Sequence, residues 1–145
     1  MPDQTTSSIV IDATAQAVMA VIVDFEDYPA WVQGMKNVRV TRTDDAGRAA
    51  EVHFELEAAP IKDSYTLAYD YVSDTTLRWH LTEGRMLRAM EGSYDLVPNG
   101  TGTEVTYKLA VDVAIPMIGM LRRKAEKVIV DTALKGLKKR VESLA

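Results

Sequence analysis

A chain of 145 residues, 47% hydrophobic and 26% charged, has ordinary globular composition, which excludes disorder, and can bury roughly 68–70% of its unfolded surface in a single domain spanning 1–145. No apolar run approaches the ~20 residues needed to cross a bilayer, and the absence of cysteine excludes a disulfide framework, a thiolate nucleophile and a thiolate metal site. A net charge of −4 argues against general nucleic-acid binding, which needs a basic surface; the start MPDQTTSS lacks the basic residues of a secretory signal, so a cytoplasmic location and no stable membrane insertion are expected.

Ser8-Ile9-Val10-Ile11-Asp12 reads as a first strand. Thr14 is placed to cap a helix from about Ala15, and Val18, Met19, Val21 and Ile22 give it an apolar face at spacings of three and four. Tyr28 precedes Pro29, which disfavours helical geometry at Tyr28 and ends that helix. Pro29 then suits the first turn of a second, short helix, with Asp27 as its cap and Gly34 as its stop.

The pattern next switches to period two. Val38 and Val40 alternate with Arg39 and Thr41, and Asp44-Asp45-Ala46-Gly47 is a turn. Ala50, Val52, Phe54 and Leu56 alternate with Glu51, His53, Glu55 and Glu57, a half-buried strand with an acidic outer face. Ala59-Pro60 interrupts the run. Tyr65, Leu67, Tyr69 and Tyr71 then share one phase, as do Leu77, Trp79 and Leu81, and after them Met90, Gly92, Tyr94 and Leu96. Pro98-Asn99-Gly100-Thr101-Gly102 is a strong turn, and Val105, Tyr107, Leu109, Val111 and Val113 complete the series.

Ile115-Pro116 opens the last segment, where Leu121, Ala125, Val128, Ile129 and Thr132 form one stripe of a long C-terminal helix. Residues 116–145 hold eight basic and three acidic side chains, net +5, so residues 1–115 carry −4 − 5 = −9. Such a basic helix is usually a solvated face; it is also the one feature that would fit a protein partner.

The order strand, helix, short helix, six strands, long helix predicts an α+β fold. Short turns between consecutive strands imply an antiparallel sheet with its helices segregated to one face. Long strands twist and curl, so the expectation is a curved sheet of about seven strands around the C-terminal helix, with two short helices between strands 1 and 2.

The segments VIVDFEDYPAWVQGMKNVRV (residues 21–40) and EGSYDLVPNGTGTEVTYKL (residues 91–109), with the long helix after Ile115-Pro116, resemble the helix-grip superfamily. This superfamily includes START lipid-transfer domains, birch-pollen-allergen-like proteins and polyketide cyclase/dehydrases. Within it the chain looks most like bacterial cyclase/dehydrase-like and coenzyme-Q-binding-like members, from Ile9 to about Val141. The first segment carries aspartate, tyrosine-proline and then tryptophan; the second carries Gly92, Tyr94, Gly102 and Thr103. The resemblance implies an internal cavity, but the superfamily holds carriers, enzymes and protein-binding modules, so it does not fix an activity.

The candidate chemistry is sparse. His53 and His80 fall on the polar phase of their strands, and the strand patterns converge no metal ligands; neither metal nor cofactor is expected. Ser64, Ser93 and Thr106 fall on outer phases without a histidine at a recognisable spacing, so no hydrolase triad is indicated. The inner phases carry the information. Tyr65, Tyr69, Tyr71, Trp79, Tyr94 and Tyr107 share a face with Phe54 and Leu67, and buried phenols need hydrogen-bond partners that a hydrated cavity or an oxygen-bearing ligand would supply. Tyr28 and Trp31 at the helix kink would cover one end of that cavity, with Met117, Ile118 and Met120 on the opposite margin and Leu121 also lining it. The reading is a binder or carrier of a hydrophobic or aromatic small molecule (a lipid, quinone or polyketide-like compound). The alternatives are a polyketide cyclase/dehydrase-type enzyme, for which the arginines Arg78 and Arg88 fall on outer or ambiguous phases, and a protein-interaction module of the ribosome- or chaperone-associated kind.

Overall fold

The computed structural model describes residues 4–58, 61–113 and 119–144. The chain runs β1 (Thr5–Ile11), α1 (Ala15–Ile22), a 3-10 helix (Phe25–Ala30), β2 (Met35–Thr43), β3 (Ala49–Ala58), β4 (Ile61–Ser73), β5 (Thr76–Gly84), β6 (Leu87–Asn99), β7 (Gly102–Val113) and α2 (Gly119–Ser143). The strands form one antiparallel sheet in the order β1-β7-β6-β5-β4-β3-β2. The first strand therefore pairs with the last, and the five remaining pairings are hairpins. Register shifts interrupt the β2–β3, β4–β5 and β6–β7 ladders. Each adds local bend and twist, and the sheet curves around α2.

The period-two runs form the strands expected of them. Val52, Phe54 and Leu56 of β3 are buried, as are Leu77 and Trp79 of β5 and Val105, Tyr107, Leu109 and Val111 of β7. α1 begins where its cap places it: the Thr14 hydroxyl accepts from the Ala17 amide at 3.1 Å, and Val18 and Ile22 are fully buried.

Two local expectations are corrected. The short helix does not start at Pro29; it is a 3-10 helix that begins at Phe25 and contains Pro29 near its end. The tighter helix tolerates a proline there because only one backbone donor is missing. The Tyr28 carbonyl still accepts from Trp31 at 3.0 Å and Val32 at 2.7 Å. Asp27, inside this helix, caps nothing and instead accepts from the Arg140 guanidinium at 2.8 Å.

The second correction concerns α2. Its packed stripe is Ala125, Val130, Leu134, Leu137 and Val141, together with a fully buried Glu126. Of the expected stripe, Ala125 belongs to this face, whereas Ile129 and Thr132 are half-buried and Val128 is 45% exposed. The reason is that α2 borders both a packed core and an open volume, so apolar residues occupy two adjoining faces.

α2 is fastened to the sheet by polar contacts along its length. Glu126 accepts from the Thr5 hydroxyl and the Val111 amide, both at 2.7 Å. Ser7 donates to Asp131 at 3.2 Å, Lys138 donates to the Val10 carbonyl at 2.7 Å, and Glu142 accepts from the Asp12 amide at 2.9 Å. No described helix is long and apolar enough to cross a membrane.

Candidate functional site

Between the concave face of the sheet, the segment 28–35 and the middle of α2 lies a cavity of about 330 Å³. Tyr28, Trp31, Phe54, Tyr65, Leu67, Tyr69, Trp79, Tyr94 and Tyr107 all line it. Alternation delivers most of them, since Phe54, Tyr65, Leu67, Tyr69 and Trp79 are inward residues of three neighbouring strands. Tyr94 and Tyr107 face each other directly across the β6–β7 ladder. Of the remaining expected margin, Met117 and Ile118, like Ala59-Pro60 and Ile115-Pro116, lie outside the described residues. Met120 and Leu121 fall in the first turn of α2, where only the backbone is described.

The aromatic rings form a continuous wall. Phe54 stacks on Tyr65 with centroids 5.3 Å apart, while Phe25 touches Tyr28 at 5.5 Å and Tyr69 at 4.5 Å. Trp79 contacts Tyr69 at 5.8 Å, Tyr94 at 5.4 Å and Tyr107 at 5.5 Å. Room for that indole comes from Gly92, its cross-strand neighbour: a Cβ on Gly92 would stand 2.3 Å from the ring. Trp31 meets Tyr28 edge-on at 5.1 Å and lies against Gly136 of α2, where a Cβ would come within 2.9 Å of the Trp31 carbonyl oxygen. Trp31 is thus a rim residue held between the 3-10 helix and α2, its Nε1 sealed and without a partner among the described residues.

The six tyrosines divide by what their hydroxyls reach. Tyr28 donates to the Ile22 carbonyl. Tyr71, expected on the cavity face, sits instead at the far end of β4. There it donates to the Ala49 carbonyl at 2.8 Å, with the Arg48 guanidinium 4.6 Å above its ring. The hydroxyls of Tyr65, Tyr69, Tyr94 and Tyr107 have no protein partner among the described residues. They are also absent from the fully sealed, unpartnered atoms, which are Trp31 Nε1 and Arg140 Nε. All four residues line the cavity. Burial pushes the pKa of all four phenols up, and for Tyr65, Tyr69 and Tyr94 the neighbouring Tyr107 adds to the rise. They are neutral hydroxyls at physiological pH.

Groups suited to acid–base work lie elsewhere. His53 shares a 3.1 Å hydrogen bond with the Thr66 hydroxyl on the outer face, and His80, Arg78 and Arg88 are exposed. Among the described residues, the one charged side chain in the cavity wall is Glu57, at the exposed rim and 3.9 Å from Lys62. Asp63 is buried for a structural purpose: its carboxylate accepts from the Arg85 amide at 3.1 Å and the Leu87 amide at 2.9 Å, which fixes the β5–β6 turn. No cluster of metal-ligating side chains occurs among the described residues.

Sequence reasoning missed several lining residues, among them Val32, Met35, Met90 and Ala133. Val32 and Met35 sit in the loop into β2, which no period covers. Met90 is recognisable as inward, and its depth in the wall follows only from the curvature of the sheet.

A curved antiparallel sheet gripping one long helix, with an aromatic cavity between them, is the helix-grip architecture of START-like proteins. Residues 2–144 match the family described as "Polyketide cyclase / dehydrase and lipid transport", and the chain belongs to that family. Among solved structures it is similar to a START superfamily protein from Mycobacterium smegmatis. The two share 23% identity with a TM-score of 0.93, over 98% of this chain and 99% of that one. A protein from Thermus thermophilus matches at 22% identity and TM-score 0.82, over 99% of each chain. The aromatase/cyclase ZhuI from Streptomyces sp. R1128 matches at 12% identity and TM-score 0.73, over 97% of this chain and 93% of that one. No curated protein sequence matches. Family membership supports a hydrophobic-ligand-binding or cyclase role without choosing between the two.

Proposed function

We propose that this protein binds a hydrophobic or aromatic small molecule in the cavity and acts as its carrier or receptor. The observation that carries the reading is the aromatic-walled volume lined by four tyrosines whose hydroxyls have no protein partner among the described residues. A hydroxyl with no protein partner adds nothing to the packing of a core, so a chain that held only its own core would lose nothing with phenylalanine at these positions. A cavity of this volume, mostly apolar with a few polar groups, fits the general form of a small-molecule site.

A cyclase/dehydrase-type activity draws on the family description. It would need a group in the cavity that gives or takes a proton near neutral pH. The lining supplies phenols whose protons burial holds in place, and these orient a ligand without removing a proton from it.

Native mass spectrometry of the purified protein, followed by organic extraction, tests the reading. An uncharged apolar fluorophore such as Nile red should bind and alter tryptophan emission, and Trp79→Phe should remove most of that change. A protein that carries nothing, binds no probe and proves solid inside would sink the proposal.

A further inference from the structure

Among the described residues, two side-chain nitrogens are sealed from solvent without a hydrogen-bond partner, Trp31 Nε1 and Arg140 Nε. Both sit in one seam. Arg140 of α2 donates from its guanidinium to Asp27 at 2.8 Å. One turn earlier, Gly136 lies so close to Trp31 that a Cβ there would stand 2.9 Å from the Trp31 carbonyl oxygen. Sealed donors without partners are rare in folded proteins, because each carries the cost of desolvation with no bond in return. Two in a single contact mark this seam as the one whose parting is least opposed, since parting gives both donors to water.

The flanks of the seam are secured. On its other side α2 is tied to the sheet, with Glu126, Asp131, Lys138 and Glu142 bonded to Thr5, Ser7, Val10 and Asp12 respectively. The 3-10 helix is held by the Tyr28 hydroxyl on the Ile22 carbonyl and by Glu26, which accepts from the Val40 amide at 3.1 Å. Beyond it, the Gly34 carbonyl accepts from the Glu57 amide at 2.8 Å. Between these anchors stand Trp31, Val32 and Gln33, all in the cavity wall. The seam ends where the cavity begins: one turn before Gly136 along α2, Thr132 and Ala133 line the open volume together with Trp31.

We propose that Trp31 is the gate of the cavity. Its indole swings out of the seam, delivers Nε1 to water and opens the volume between residues 31–33 and α2, while α2 itself stays in place. On the ligand-binding reading above, this is the route by which an occupant enters and leaves. The Asp27–Arg140 ion pair, one turn away, is the latch that sets how often the gate opens.

Indole hydrogen exchange tests the gate without any ligand. The chain has two tryptophans, and Trp31→Phe assigns their Nε1–H signals in the nitrogen–proton NMR spectrum of the full chain. The Trp31 proton should exchange by local opening, at least about a hundredfold faster than the Val130 and Leu134 amides of the packed α2 face, which need global unfolding. Asp27→Asn should speed that exchange severalfold, the scale of one half-exposed ion pair. Lys138→Met, which cuts a tie between α2 and β1, should leave it unchanged. Stopped-flow binding of Nile red gives a second readout. Asp27→Asn should raise its association and dissociation rates by the same factor and leave Kd unchanged, because the latch is closed in the empty and the filled protein alike. Exchange of the Trp31 indole at the rate of the α2 amides would overturn the gate. So would acceleration by Lys138→Met in place of Asp27→Asn, which would make α2 the moving part, or Nile red rates that ignore Asp27→Asn. If Nile red does not bind, the ligand-binding reading falls and the exchange alone decides the gate.

Discussion

Two regions of the interior share one sheet and differ in how their polar groups are met. Around α1, β1 and the helix α2, the residues Ile11, Val18, Ile22, Val105, Leu109, Val130 and Leu137 are completely buried. The polar atoms among them are paired: the Thr103 hydroxyl donates to the Ala13 carbonyl at 2.7 Å, and both Glu126 oxygens accept. Around β4, β5 and the middle of β6 and β7 the wall is aromatic, and the hydroxyls of its four tyrosines have no protein partner among the described residues. The same strand can serve both regions: β7 contributes Val105 and Leu109 to the first and Tyr107, between them, to the second. Hydrophobicity does not separate the two regions. Hydrogen-bond accounting does: Thr103 and Glu126 in the first are met by the protein, and the four hydroxyls of the second are not, among the described residues.

The largest expected effect is alkaline. An unfolded tyrosine ionises near pH ~10, whereas burial raises the pKa of Tyr28, Tyr65, Tyr69, Tyr94 and Tyr107 in the folded state. The native protein thus retains protons that the unfolded chain releases. Stability is fully present below about pH 10 and falls above it, each phenol withdrawing up to about 1.4 kcal/mol per pH unit. Several such groups match the 5–15 kcal/mol of a typical domain within one or two units. Phenolate absorbance of the native protein should stay flat through pH ~10 and rise only with unfolding, followed by circular dichroism. If the cavity phenols titrate near pH ~10 in the folded state while Tyr28 does not, the second region is open to bulk water and not a dry wall.

Next in size comes a matched pair of truncations. Leu137→Ala removes a fully buried side chain from the packed region and should cost about 2–5 kcal/mol, the range for leucine truncations that leave a new void. Leu67→Ala removes the same atoms from a wall that already borders a void and should fall at or below the lower end of that range. Urea denaturation measures both, and equal costs would show that Leu67 is packed on all sides.

Gly92→Ala sharpens the comparison from inside the wall. The added methyl would stand 2.3 Å from the Trp79 ring, and the indole must move into the cavity. Overpacking of this kind costs roughly 1–3 kcal/mol, here softened because a void lies on the far side. The expected signs are modest destabilisation, a shifted tryptophan emission and loss of Nile red binding. Unchanged emission and binding would mean that Trp79 does not define the cavity.

Much of the fold is legible in the sequence because alternation and helical spacing are local. Parity alone places Phe54, Tyr65, Trp79 and Tyr107 on the inner face, and the structure brings them together. What fails is information that parity does not contain. Tyr71 shares the phase of Tyr65 and Tyr69 but lies further along β4, where the curved sheet has left the cavity and the Ala49 carbonyl is within reach. Asp27 has the residue type of a cap, but its carboxylate is taken by Arg140, a partner 113 positions away. On α2 the spacing reveals an apolar face and misses that the core and the cavity claim different sides of it. Phase is written in the sequence; depth along a strand and the identity of distant partners emerge only when the sheet closes.

The smallest effect separates the two kinds of tyrosine most directly. Tyr28 and Tyr107 are both 8% exposed, so removing one oxygen from either changes nearly the same apolar burial. Tyr28→Phe strips the Ile22 carbonyl of its donor and should cost about 0.5–1.5 kcal/mol, the usual net contribution of an intramolecular hydrogen bond. Tyr107→Phe removes a hydroxyl that the protein does not satisfy, so the unliganded protein should lose nothing measurable or gain a few tenths of a kcal/mol. The difference appears in urea midpoints of the delipidated protein, with m-values checked for constancy so that only stability is compared. A cost at Tyr107 equal to that at Tyr28 would mean that ordered water already completes its hydrogen bonds, and the cavity would then be a hydrated site whose waters a ligand must displace. A zero cost at Tyr107, together with weakened binding of Nile red, would assign the hydroxyl to the ligand and not to the fold.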